Sequence, residues 1–119
     1  MRQEIILPGQ GKSYDWAKDH VLVKSTLDLS DGRLTLVEDR LKPGFFLGRH
    51  HHKKMIEIFH VLEGSVEFAF DDETITAAPG TTLNVPPDVW HEVRSPGSST
   101  RPQKQADFGG CRAEFQALS

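Results

Sequence analysis

Residues 44–64 read GFFLGRHHHKKMIEIFHVLEG, and this stretch decides the reading of the chain. A turn glycine, Gly44, opens it, and Glu63-Gly64 closes it. Between them lie a histidine triplet and the segment IEIFHVL (56–62), the strongest strand signal in the sequence, apolar on both faces and expected to be covered on both. On an extended strand, residues i and i+2 share a face. His50 and His52 therefore point one way and His51 the other. Alternation along the next strand puts Glu57 with Phe59 and Val61, while His60 points away. If the apolar residues line a core, Glu57 faces inward, where a carboxylate is costly unless it is paired or bound to a cation.

Outward from this stretch, short alternating segments are punctuated by Gly, Pro and Asp. Residues 20–28 (HVLVKSTLD) and 33–41 (RLTLVEDRL) read as strands joined near Asp31-Gly32, a tight-turn dipeptide. Residues 65–70 (SVEFAF) put Val66, Phe68 and Phe70 on one face. Residues 73–77 (ETITA), 81–85 (TTLNV) and 89–94 (VWHEVR) follow, separated by Asp71-Asp72, Pro79-Gly80 and Pro86-Pro87-Asp88. Strands of about five residues at this spacing imply an all-β sandwich or barrel with little helix. Residues 96–119 read as an irregular tail or flap anchored by Phe108 and Phe115, with Ala113 to Leu118 allowing one helical turn.

His91 shares its face with Val89 and Val93, so three histidines and one glutamate can converge from three strands: His50, His52, Glu57 and His91. Taken singly, each residue is ordinary. A histidine beside Trp90 is more often packed than a ligand, a strand glutamate is usually solvated, and a histidine triplet can belong to a tag or a loop. The joint spacing is what points to one divalent metal ion. Imidazole suits Zn, Cu, Fe and Ni, and a carboxylate adds tolerance for Mn. Fe, Mn, Ni, Co, Cu and Zn are all compatible with this set. Four protein ligands leave one or two positions open for water, dioxygen or a chelating substrate. Leu36, Phe59, Phe68, Phe70 and Val93 are the candidate apolar lining of a pocket for an aromatic or other small organic acid. Arg40 and Arg49 are candidate carboxylate contacts, although solvated surface positions suit them better.

Composition bounds the remainder. A chain of 119 residues forms one domain, 1–119. The apolar share, 37%, is low, so core and pocket must be built from few residues, seven of them Phe. A net charge of −3 without a long single-sign run offers no surface for nucleic acid or membrane. The lone Cys111 excludes an internal disulfide, and Ile5–Leu7 is too short for a signal-peptide core. A cytoplasmic, reducing location is the expectation.

The spacing resembles the cupin superfamily. The first cupin motif is Gly, five residues, His-x-His, three or four residues, Glu, six residues, Gly. It is matched by Gly44, FFLGR, His50-His51-His52, KKMI, Glu57, IFHVLE and Gly64. The second motif is Gly, five residues, Pro-x-Gly, two residues, His, three residues, Asn. Here it reads Gly80, TTLNV, Pro86-Pro87-Asp88, VW, His91, EVR and Ser95. Asp88 replaces the second glycine and Ser95 the asparagine. Both changes lie in turns, and Asp tolerates the left-handed conformation a turn can require. The resemblance covers residues 32–95 and is similar to small quercetin-dioxygenase-like single-domain cupins.

The resemblance implies a double-stranded β-helix (jelly-roll) barrel with His50, His52, Glu57 and His91 as metal ligands. It also implies a homodimer paired through N-terminal strands, for which residues 3–7 (QEIIL) are the candidate. Family members of this kind close the barrel with apolar strands after the second motif, and none is evident in 95–119. Two functions suit the site. One is a small metal-dependent enzyme of dioxygenase, isomerase or lyase type on a small aromatic or enol substrate, with Glu57 as candidate proton acceptor. The other is a non-catalytic ligand-binding or sensor cupin.

Overall fold

A computed structural model describes residues 3–26, 34–95 and, as backbone, 111–118. Ten strands run through them: β1 (Lys12–Asp15), β2 (Asp19–Ser25), β3 (Leu34–Leu41), β4 (Phe46–His50), β5 (Ile56–Glu63), β6 (Val66–Phe70), β7 (Thr74–Ala77), β8 (Thr82–Val85), β9 (His91–Arg94) and β10 (Cys111–Leu118). The described residues contain no helix, and so none long and apolar enough to cross a membrane. A six-stranded sheet has the order β1-β2-β3-β10-β5-β8, and a four-stranded sheet the order β4-β9-β6-β7. Every pairing is antiparallel. Two such sheets face to face make the all-β jelly roll that the alternating segments imply.

The core forms where the inward positions of both sheets meet. Phe59 and Val61 of β5, Leu83 and Val85 of β8, Val66 and Phe68 of β6 and Val93 of β9 are all buried. The Phe59 and Phe68 rings meet edge to face across the sheets, with centroids 5.1 Å apart. Each such side chain contributes about 1.5–3 kcal/mol by leaving water. The opposite face of β5 is less covered than its composition suggests. Ile58, His60 and Leu62 are half-buried and Ile56 is exposed, because no third layer lies over that sheet in the described residues. The turns follow the motif residues. Gly44 and Gly64 adopt φ of +84° and +71°, a region open to glycine without steric cost.

Three expectations are corrected. Residues 111–118 form neither a helical turn nor an irregular tail. They are strand β10, inserted between β3 and β5 with Phe115 in register with both Val37 and Phe59. This strand closes the sheet in place of the apolar segments absent from 95–110. The remaining part of the supposed flap, including Phe108, lies outside the described residues, as does the Asp31-Gly32 turn. Residues 3–7 form no strand, and the N-terminal edge is β1, whose sequence KSYD carries too little apolar alternation to announce itself. Leu36 is in register with Gln116 and, through it, with Ile58. It therefore sits on the face opposite Phe59 and lines no interior pocket.

Candidate metal centre

β4, β5 and β9 bring the four candidate ligands to one end of the barrel. His50 is the last residue of β4 and pairs with His91, the first of β9. Glu57 is the second residue of β5. His52 lies past the end of β4, so strand alternation alone does not hold it. Its carbonyl instead accepts a 2.7 Å hydrogen bond from the Asp88 N–H. One donor atom from each of His50, His52, Glu57 and His91 lies within 4.8 Å of the others. The ring centroids are 4.2 Å apart for His50–His91, 5.2 Å for His50–His52 and 6.0 Å for His52–His91.

The hydrogen bonds set which nitrogens face inward. His50 Nδ1 donates to the Gly48 carbonyl at 2.7 Å, and His91 Nδ1 donates to the Val89 carbonyl at 2.9 Å. Each bond fixes the tautomer and leaves Nε2 as the lone-pair atom, which is how ligand imidazoles are oriented. His91 Nε2 stands 3.1 Å from Glu57 Oε1, and His52 Nε2 stands 3.3 Å from the same oxygen. His52 Nε2 is buried and makes no hydrogen bond. Two imidazole nitrogens thus converge on one carboxylate oxygen, and the closer of them, His91 Nε2, is within hydrogen-bond distance of it. Such a cluster needs a shared cation, either a proton or a metal ion. Burial opposes protonation of His91, but its bonds to Glu57 and to the Val89 carbonyl outweigh burial and raise its pKa. A divalent transition ion would take the imidazoles in their neutral form beside the one carboxylate, a mixed nitrogen and oxygen set that suits such ions.

Phe59 and Phe70 underlie the group, with centroids 6.0 and 6.5 Å from the His91 ring. Of the expected pocket lining, Phe59, Phe68 and Val93 are fully buried core beneath the site, and Phe70 is half-buried beside it. A groove of about 550 Å³ opens alongside, lined by Phe70, Val89 and Trp90 and by the carboxylates of Asp71, Asp72 and Asp88. The two candidate arginines are already engaged. Arg40 pairs with Glu38 at 3.0 Å, and Arg49 grips Asp71 through its guanidinium at 3.0 and 3.1 Å. His60 bonds Thr82 Oγ1 at 2.7 Å, away from the group, and His51 rests against Trp90 with centroids 4.1 Å apart. Sequence reasoning did not single out Trp90 or give Asp88 more than a turn. The Asp at a motif glycine was the available signal, and its φ of +68° is the left-handed conformation foreseen for it.

Similarity searches agree with the architecture. A search of curated protein sequences finds no match. Among solved structures, an RmlC-like cupin from Shewanella frigidimarina superposes with a TM-score of 0.75 at 16% identity, covering 98% of this chain and 91% of that one. KdgF from Halomonas sp. gives 0.71 at 14% identity, covering 98% and 95%. Streptomyces PAC13, solved with uridine, gives 0.69 at 14% identity, covering 99% and 83%. At these identities the likeness speaks to fold alone. Residues 37–101, more than half of the chain, match the Cupin_2 family, described as a cupin domain. The protein therefore belongs to the cupin family.

Proposed function

We infer that this cupin holds one divalent transition metal through His50, His52, Glu57 and His91 and works as a small metal-dependent enzyme on a small organic substrate. The observation that carries the reading is the convergence of one donor atom each from His50, His52, Glu57 and His91 within 4.8 Å, with His52 Nε2 buried and making no hydrogen bond. A bound Fe, Mn, Ni, Co, Cu or Zn ion would supply Lewis acidity or an oxygen-binding centre, the chemistry of dioxygenase, isomerase and lyase reactions. The chain's own residues supply the surroundings. The Gly48 and Val89 carbonyls hold the ligand rings in register, and Phe59 and Phe70 keep the floor dry. Glu57 is the one carboxylate in the group and the candidate proton acceptor for a substrate C–H or O–H. The acidic groove beside the site repels an anion, so a neutral enol, diol or aromatic suits it better than an organic acid.

Metal content of the native protein against His52→Ala and His91→Ala tests the site. Loss of metal in both variants is expected, and near-stoichiometric metal in both refutes the ligand set. Oxygen uptake and product formation with flavonols, catechols and β-diketones then test catalysis. Metal-dependent turnover supports the enzyme. Tight binding of one compound with no turnover across the panel favours the second reading, a ligand-binding or sensor cupin. That reading draws support from Glu57 being the only acid–base candidate, outside the histidines, within the ligand group.

The same inference extends to assembly and location. Tyr14 of β1 stacks on Trp16 just past that strand with centroids 5.7 Å apart, and both are exposed, as are Ile5 and Leu7 nearer the N-terminus. A homodimer covering the β1 edge would bury the Tyr14–Trp16 stack. Light scattering is expected to give twice the 13.3 kDa chain mass, and a clean monomer refutes it. The single cysteine suits a reducing, cytoplasmic compartment.

A further inference from the structure

The ladder between β4 and β9 gives out where the metal ligands sit. Phe46 pairs with Arg94 and Leu47 with Val93, but the register then shifts, and pairing resumes only at His50 with His91. β4 is an edge strand of its sheet, so no second neighbour steadies it. His52 lies beyond the strand altogether. Two of the four ligands, His50 and His52, therefore sit on backbone that the sheet holds weakly, whereas His91 and Glu57 are paired on both sides, yet a metal centre needs all its ligands fixed to a few tenths of an ångström.

What holds them lies on the outside of the barrel. Arg49 and His51, the two neighbours of His50, both close on Trp90, the neighbour of His91. The Arg49 guanidinium carbon lies 4.0 Å from the Trp90 ring centroid, and the His51 ring centroid lies 4.1 Å from it. Asp71 fixes the far side of the Arg49 guanidinium with contacts of 3.0 and 3.1 Å. Asp88 adds the third tie. Its left-handed backbone turns its N–H onto the His52 carbonyl at 2.7 Å, and its carboxylate stands 3.4 Å from His51 Nδ1. One residue later, the Val89 carbonyl takes the His91 Nδ1 proton. Each histidine ligand is thus tied, directly or through a chain neighbour, to the turn 88–90.

We propose that Trp90 and Asp88 are positioning residues of the metal centre, forming an outer buckle that clamps the β4 ligands His50 and His52 to His91 of β9. Cation–π stacking and a backbone hydrogen bond here do what strand pairing does elsewhere in the sheet. Neither residue is among the four ligands, and the buckle acts on the metal through the ligands it holds.

The inference rests on the metal reading above, and the test separates the two. The full chain is stripped with a chelator and titrated with Co(II), recording affinity by calorimetry and ligand geometry by the visible absorption of the bound ion. Wild type, Trp90→Ala, Trp90→Phe, Asp88→Gly and Asp88→Pro are compared, with metal-free thermal midpoints alongside. Trp90→Ala is expected to weaken Co(II) binding roughly 10–100-fold and alter its spectrum, the range usual for lost outer partners of ligands. Its metal-free midpoint should change little, because Trp90 is partly exposed and outside the core. Trp90→Phe restores a ring face and should recover most of the affinity. Asp88→Gly keeps both the turn and its N–H and should bind well, whereas Asp88→Pro abolishes both and should not. Wild-type affinity and spectrum in Trp90→Ala overturn the buckle while leaving the metal site intact. A parallel fall in metal-free stability without rescue by Phe also overturns it, since that describes a scaffold residue. Failure of the wild type to bind Co(II) overturns the metal reading itself.

Discussion

Asp39 offers a test of the fold that is independent of any metal. It lies on the inward face of β3, 5% exposed, and its Oδ1 makes no hydrogen bond. Asp19 of β2 reaches it from two pairs along the ladder, on the same face, where Asp19 opposes Leu41 and Asp39 opposes Val21. Burial first, then the hydrogen bond and the charge of Asp19, push the Asp39 pKa up to about 8 from 3.8. The folded protein thus keeps a proton that the unfolded chain has released at neutral pH. The sign follows. Stability is undiminished below about pH 3.8, falls as pH rises from there towards 8, and is flat above. At about 1.4 kcal/mol per pH unit, the cost at pH 7 has a ceiling of about 4 kcal/mol, and relaxation around the pair reduces it to on the order of 2 kcal/mol. Asp39→Asn keeps a donor for Asp19 and removes the ionisation. The metal-free variant should match wild type near pH 4 and exceed it by about 2 kcal/mol at pH 7, equivalent to a midpoint shift of about 8 °C. Thermal and urea unfolding of the two stripped proteins from pH 4 to 9 measures this. A gap that does not widen with pH, or a wild type that gains stability between pH 5 and 8, refutes the placement of Asp39 and the sharing of its proton.

Other outcomes follow from the core and the site. Phe59→Ala removes a buried ring that packs on Phe68 and floors the ligand group, and should cost about 3–5 kcal/mol in urea unfolding. Adding a divalent ion at about 100 times its Kd should stabilise the stripped protein by about 2.7 kcal/mol, and a chelator should reverse this; His52→Ala should abolish the gain in the same thermal scan. Deleting 111–118 removes the strand between β3 and β5, and circular dichroism should show loss of the cooperative transition rather than a modest shift.

That last deletion also marks where sequence reading ended. The strands that could be read from the sequence carry their own evidence. In β5, β6 and β9, alternation and flanking turns lie within a few residues of one another, and Glu57 was placed inward from Phe59 and Val61 alone. The ligand set was legible for the same reason: the motif spacing is local even though the contacts are not. β10 has no such signature. CRAEFQAL holds Ala, Glu and Gln, which favour helix, and one aromatic, Phe115. Its strand state is conferred by two partners far away in sequence, β3 and β5, each offering an unpaired edge that a buried sheet must fill. β1 was missed for the converse reason, since an exposed edge strand needs only one partner and no apolar face.

The ligands repeat this division between local and distant causes. His50 is placed by strand geometry that can be counted off the sequence. His52, two residues on, has left the strand and is held by the N–H of Asp88, 36 positions away. Spacing could nominate His52 but could not say what fixes it. A jelly roll brings the ends of distant strands together at its rim, so residues such as Trp90 and Asp88 take their significance from the neighbours the fold gives them. The natural place to look for determinants of metal affinity in this chain is accordingly the outer rim around positions 49, 51, 71, 88 and 90, as well as the four ligands facing inward.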